Sequence, residues 1–326
     1  MKKQIFFKTI ITVFILLFAV SCNNNKSSNN SNSSSTNFTA KKIAITYVKS
    51  PLNVPSIVEK EKAIFSNTFS KYNIPVTYSE LTTGPEQTQA LASGDIQFLY
   101  AVGATSVILA KANGADIKII NMYSRSPKAF TLFSQKGTSF TTADEVRGKK
   151  IAGPKGTILH ELLTAYLNTL GLKESDVEFI SMGIPESQAA LVGGSVDMAL
   201  LAGPSAYNMI KDGYNVVTTG EGLVDATIAV ATSESFYNSN KVLVDDFINA
   251  QREVLSYIEN NYDEAMAISA KETGLSDEAV KEMYTMYDFS IDITDNDINS
   301  MKKTEEFMRN NNMIETEVNI DDLIIK

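Results

Sequence analysis

Few side chains in this sequence are equipped for chemistry. The 326-residue chain holds one histidine, His160, and one cysteine, Cys22. A Ser-His-Asp arrangement could use only His160, and no Gly-x-Ser-x-Gly turn accompanies it. The same scarcity excludes a zinc or iron centre built on several His and Cys. No Gly-x-x-x-x-Gly-Lys-Ser/Thr loop is present for a nucleotide. Glu86 and Glu186 could act as paired carboxylates. An acid in a first helical turn is also what the helix dipole favours, so a structural role is expected for both. No metal and no cofactor is implied.

What remains suits binding. Pro154-Lys155-Gly156-Thr157 follows a strand pattern and opens a long helical one. Free N–H groups at a helix start attract an anion, and here Lys155 adds charge and Thr157 a hydroxyl. The corresponding earlier loop is Val48-Lys49-Ser50-Pro51-Leu52, and Gly103-Ala104-Thr105-Ser106 opens a third helix. Simple helix capping is the alternative in each loop. Ser50, Gly103, Thr105, Gly156 and Thr157 are the expected hydrogen-bonding groups, with Lys49, Leu52, Gly84, Ala104, Lys155, His160, Pro185, Gly203 and Pro204 beside them. Arg125 is open to two roles, facing a ligand carboxylate or sulfonate, or facing solvent.

An internal repeat positions these loops. Pro85-Glu86, Ala90-Leu91, Gly94 and Gly103 recur as Pro185-Glu186, Ala190-Leu191, Gly194 and Gly203. Lys41-Lys42-Ile43-Ala44 returns as Lys149-Lys150-Ile151-Ala152. Each copy reads as strand, helix, strand, short proline-led helix, strand and helix. That order predicts an α/β fold of two lobes, each a mainly parallel sheet flanked by helices. Ligands bind beyond the carboxyl ends of such strands, where the loops above lie. The lobes are expected to divide the chain as residues 41–127 for the first part of lobe I, 128–217 for lobe II and 218–326 for the completion of lobe I. The chain then crosses near Ser124–Phe130 and Thr218–Thr227.

The amino-terminal end carries its own signals. Lys2, Lys3 and Lys8 precede an uncharged, mostly apolar run from Thr9 to Val20. About a dozen residues suit a secretory signal better than a membrane span, which needs roughly 20. Ala19-Val20-Ser21-Cys22 resembles the lipobox of bacterial lipoproteins, which implies a signal over residues 1–21 and a diacylated, palmitate-bearing Cys22. Residues 23 to 37 are nearly all Asn and Ser, a composition that stays disordered. With them, residues 22–40 form a tether of roughly 20–25 Å average reach. Removing Lys2, Lys3 and Lys8 with the signal takes the formal charge from −9 to −12. So acidic a chain is a poor partner for nucleic acid.

Gly84-Pro85, then Gln89-Ala90-Leu91-Ala92-Ser93-Gly94-Asp95-Ile96, resembles the solute-binding proteins for sulfonates, taurine and nitrate, whose relatives bind thiamine pyrimidine precursors. Ala112 to Ile119, Val146 to Ala152, the Gly156–Leu172 stretch and Gly194-Ser195-Val196-Asp197-Met198-Ala199 share the resemblance, which covers roughly residues 41 to 235. It implies a periplasmic-binding fold of type II. It also implies an ABC permease and ATPase as partners; the chain is expected to be a monomer, exported and held at the membrane by the lipid on Cys22. The ligand would be a small anionic or heterocyclic solute. Many members carry an aromatic, an acid and a proline after the last strand of the second lobe. Here that place reads Ala202-Gly203-Pro204, which weakens the case for taurine. An enzyme on the same fold, acting on a pyrimidine or chorismate-derived substrate, and a surface-antigen lipoprotein are the alternatives.

Overall fold

The computed structural model describes residues 38–48 and 51–325. Ten strands form, at Ile43–Tyr47 (β1), Val76–Glu80 (β2), Leu99–Gly103 (β3), Lys118–Arg125 (β4), Phe130–Ser134 (β5), Lys150–Gly153 (β6), Glu178–Ser181 (β7), Met198–Ala202 (β8), Asn215–Thr219 (β9) and Thr227–Thr232 (β10). One lobe holds the parallel pair β1-β2 beside the sheet β3-β10-β4, joined by a bridge between Ile45 and Phe98. The other lobe is a five-stranded sheet in the order β7-β6-β8-β5-β9.

The expected two-lobed α/β architecture is present, and each mainly parallel sheet carries one strand that runs against the others. Strand β10 lies antiparallel between β3 and β4, and β5 lies antiparallel between β8 and β9. These are the strands entered as the chain passes from one lobe to the other. Each arrives from the opposite sheet and inserts against its neighbours' direction. Their alternation is hard to read because both are buried on both faces along their length, which leaves a continuous apolar run.

The repeat is visible as structure. Helices Gly84–Ala92 and Ile184–Val192 occupy matching places, as do Ala104–Ala112 and Gly203–Lys211. Proline stands in the first turn of both Gly84–Ala92 and Ile184–Val192, where no N–H is needed. Lobe I is buttressed by the long helix Glu234–Asn260, whose Phe247 stacks on Phe98 at 4.0 Å and on Phe65 at 4.4 Å. Helix Asp295–Asn310 packs Met301 and Met308 among Val107, Ile108 and Ala229. No helix of the described residues is long and apolar enough to cross a membrane.

Candidate functional site

Helix starts from both lobes converge on one cleft. A cavity of about 70 Å³ sits there, room for a few waters or a compact organic group. It lies beyond the carboxyl ends of β1, β3 and β6, reached by Val48, Gly103 and Pro154. The helices beginning at Val54, Gly84, Ala104, Ile158 and Ile184 all point their first turns toward this region, with Asn53, Gly84, Gly103, Thr157 and Ile184 in the wall. Each presents first-turn N–H groups that have no partner within the helix. No titratable side chain lines the cavity among the described residues. Its field is therefore that of the helix ends, which favours negative charge.

A bulge shapes the floor. Residues Val102 and Tyr100 pair with the adjacent Ala229 and Val230, so Ala101 is an extra residue in β3. Its φ is +76°, a conformation that most side chains avoid. Ala101 thereby turns into the cavity wall, the re-aiming that bulges commonly perform beside sites.

The hydroxyls near the cavity are largely engaged. Thr157 Oγ1 donates to Pro154 O at 2.8 Å and accepts from Leu159 N at 3.2 Å. Ser106 Oγ donates across the cleft to Gly156 O at 2.8 Å. It can do so because its neighbour is Gly84; a Cβ there would lie 2.1 Å from Ser106 Oγ. Glu86 accepts from Thr83 N at 3.0 Å in a reciprocal cap.

The lobes meet directly around the cavity. Glu161 is buried between them and accepts from Thr105 Oγ1 at 2.5 Å and Thr304 Oγ1 at 3.0 Å. Burial pushes its carboxyl above the usual range, and only the two hydroxyl bonds oppose that rise. Gly203, with φ +60°, closes on the Pro51–Leu52 backbone so tightly that a Cβ would come within 2.7 Å of Pro51 Cα. Gly156 packs against Leu109 and Pro85, and Gly103 against Ile158.

The residues singled out from the sequence fall into distinct places. Gly84, Gly103 and Thr157 line the cavity. Leu52, Ala104, Thr105, Gly203, Pro185 and Pro204 stand at the surrounding helix starts and seams without lining it. Lys155, Gly156 and His160 line a separate groove of about 480 Å³. There His160 Nδ1 accepts from Gly156 N at 3.2 Å, which leaves Nε2–H to donate to Glu174 at 2.6 Å. Its ring stacks on Phe179, and burial lowers its pKa. His160 thus holds the loop before its own helix. Arg125 grips both oxygens of Asp297 at 2.7 and 2.6 Å and bonds Ser290 and the carbonyl of Asp292. It anchors β4 to the carboxyl-terminal segment. Lys49, Ser50 and Cys22 lie outside the described residues.

Sequence reasoning passed over Asn53, Gln87, Phe130 and Ile184, all in the wall. Gln87 carried one usable signal, its place three residues after Gly84 in a first helical turn. Tyr100 and Tyr123 are buried in the lobe I core, and Tyr47 is buried as well.

Comparison with known proteins agrees with this geometry. Residues 54–265 match the family described as NMT1/THI5 like. A putative aliphatic sulfonates-binding protein of Escherichia coli is 24% identical over 61% of this chain and 63% of its own length. That of Bacillus subtilis is 29% identical over 51% and 50%, and the taurine-binding periplasmic protein of E. coli 27% over 56% and 55%. The matches thus span about half to under two thirds of these relatives. Among solved structures, the alkanesulfonate-binding protein of Xanthomonas axonopodis pv. citri bound to MOPS superposes with a TM-score of 0.80 at 21% identity. That alignment covers 88% of this chain and 98% of the other. The E. coli aliphatic sulphonate binding protein follows at 0.74 and 20%, over 88% and 98%.

Proposed function

This chain belongs to the NMT1/THI5-like family, and from that premise we propose that it is the solute receptor of an ABC importer. It captures a compact anionic molecule between its lobes and passes it, unaltered, to a membrane permease. The observation that carries this reading is the cavity itself: several helix starts converge on it, and no titratable side chain of the described residues lines it. Such a wall can hold an anion, but it offers no side-chain acid or base to transform one. Three relatives named for sulfonate or taurine binding support an organosulfonate class of solute.

Capture works by population shift. The closed arrangement brings Thr157 and Ile158 of one lobe against Gly84, Gly103 and Ser106 of the other. A solute that touches both sets favours closure by its differential contacts alone. We further propose that Cys22 is diacylated and that the Asn- and Ser-rich stretch tethers a monomeric body to the outer face of the cell membrane. Native mass spectrometry of freshly purified protein tests capture; a one-to-one adduct in the mass range of a small organic acid is expected. Turnover of a candidate solute without a stoichiometric complex contradicts it. Palmitate labelling is expected to vanish in Cys22→Ala, and label retained there removes the anchor.

A further inference from the structure

Two residues of the cavity wall carry side-chain carbonyl oxygens that have no partner among the described residues. These oxygens are Asn53 Oδ1 and Gln87 Oε1, on side chains of residues only 1% and 3% exposed. Their orientation is not ambiguous. Asn53 Nδ2 donates to Val48 O at 2.8 Å, and Gln87 Nε2 donates to Leu81 O at 3.3 Å. A carbonyl accepts only from the NH₂ side of an amide, so each oxygen must be the atom left over.

The position of Asn53 makes this unusual. It is the residue preceding helix Val54–Lys62, and an Asn there ordinarily turns its oxygen onto the first-turn N–H groups. Asn53 makes no such cap. Thr157, before helix Ile158–Thr169 of the other lobe, does cap its helix. The bond to Val48 O holds the Asn53 amide away from the helix. A buried acceptor left without a donor is costly, because its desolvation is not repaid. A solute that closes on these oxygens must supply the hydrogen bonds that water would otherwise make.

The kind of donor is constrained as well. No carboxylate lines the cavity among the described residues, and the surrounding helix starts carry positive partial charge. An ammonium placed there would be desolvated and face a field of its own sign. A hydroxyl or an amide N–H meets neither objection.

We propose that Asn53 and Gln87 set the specificity of this site by requiring uncharged O–H or N–H donors on the captured anion. The solute is then a compact hydroxylated or amide-bearing organosulfonate rather than a plain alkanesulfonate or an aminosulfonate. This rests on the capture reading above, and its test separates the two.

Three probes share one anionic head: propane-1-sulfonate, 2,3-dihydroxypropane-1-sulfonate and 3-aminopropane-1-sulfonate. Calorimetric titration of the full chain is expected to rank the dihydroxy compound first, about tenfold or more tighter than propanesulfonate, with the amino compound weakest. In Gln87→Met the dihydroxy compound is expected to lose about five- to tenfold in affinity, while propanesulfonate binds as well as before or better. The unliganded melting temperature holds or rises, because an unpaired acceptor has gone. Equal affinities for all three probes in the wild type overturn the donor requirement and leave capture intact. A Gln87→Met protein that melts lower and weakens every probe alike makes Gln87 a structural residue and also overturns it. Binding of none of the three removes both the organosulfonate reading and this inference.

Discussion

The two copies of the repeat hold the same elements and treat the cavity differently. At four positions separated by one hundred residues, lobe I has Gly84, Gln87, Ala101 and Ser106, and lobe II has Ile184, Ser187, Leu201 and Ala206. The first set lines the cavity in full; of the second, only Ile184 does. Strand β3 bulges at Ala101, whereas β8 pairs with β5 in unbroken register through Leu201. Lobe I therefore presents a polar, irregular wall. Lobe II presents Phe130, Pro154, Ile158, Leu159 and Ile184, with Thr157 as its one hydroxyl. Under the proposed capture, the difference is a division of labour in which lobe I would read the solute and lobe II would close over it.

The equivalent glycines sharpen that division most. A Cβ at Gly203 meets backbone of the opposite lobe and sits at positive φ, so nothing soft can yield. Gly203→Ala is expected to disfavour closure by ~2–3 kcal/mol, seen as a roughly 30- to 150-fold weaker affinity. A Cβ at Gly103 meets only the side chain of Ile158 at 3.2 Å, so Gly103→Ala is expected to change affinity by less than about fivefold. Equal losses in the two variants break the comparison.

Arg125 separates anchoring from reading. Arg125→Ala leaves the buried Asp297 carboxylate without its cation. Stability is expected to fall by about 2–4 kcal/mol in chemical denaturation, with solute affinity in the native baseline unchanged. A selective loss of affinity returns Arg125 to the site.

The bulge offers a smaller test. Ala101→Gly accepts φ +76° without strain and is expected to keep both stability and affinity. Ala101→Val is expected to cost about 1–3 kcal/mol in thermal stability. A Val variant as stable as the parent argues that the bulge is not under constraint.

The smallest effect concerns pH. Glu161 binds its proton more tightly when buried in the closed seam than when the lobes part and water returns to it. Closure is thus favoured in acid, and that advantage is lost as pH rises above the ordinary carboxylate range. Solute affinity is expected to decline gently as pH rises above the ordinary carboxylate range, and Glu161→Gln to flatten the profile. An unchanged slope in the variant shows that the seam does not titrate.

Much of the frame was legible because the repeat prints twice. Strands β1, β2 and β6 and the proline-led helices at Gly84 and Ile184 follow from periodicity and punctuation. Gly84, Gly103 and Thr157, named for their helix starts, line the cavity. Strands β4 and β5 were not legible, because they run through the stretch where the chain changes lobes and bury every residue or nearly so. Nor was Asn53. Its free oxygen depends on Val48 O lying within reach of its amide, a tertiary fact with no local pattern. The anchoring role of Arg125 was equally hidden, since its carboxylate partner stands 172 residues away.

Capture between the lobes is tested most directly by small-angle scattering of the full chain, with and without 2,3-dihydroxypropane-1-sulfonate, in the parent and in Gly203→Ala. The parent is expected to contract on adding the solute and Gly203→Ala to stay open. A parent that binds the solute at one per chain without contracting, or a Gly203→Ala protein that closes as fully, contradicts the account.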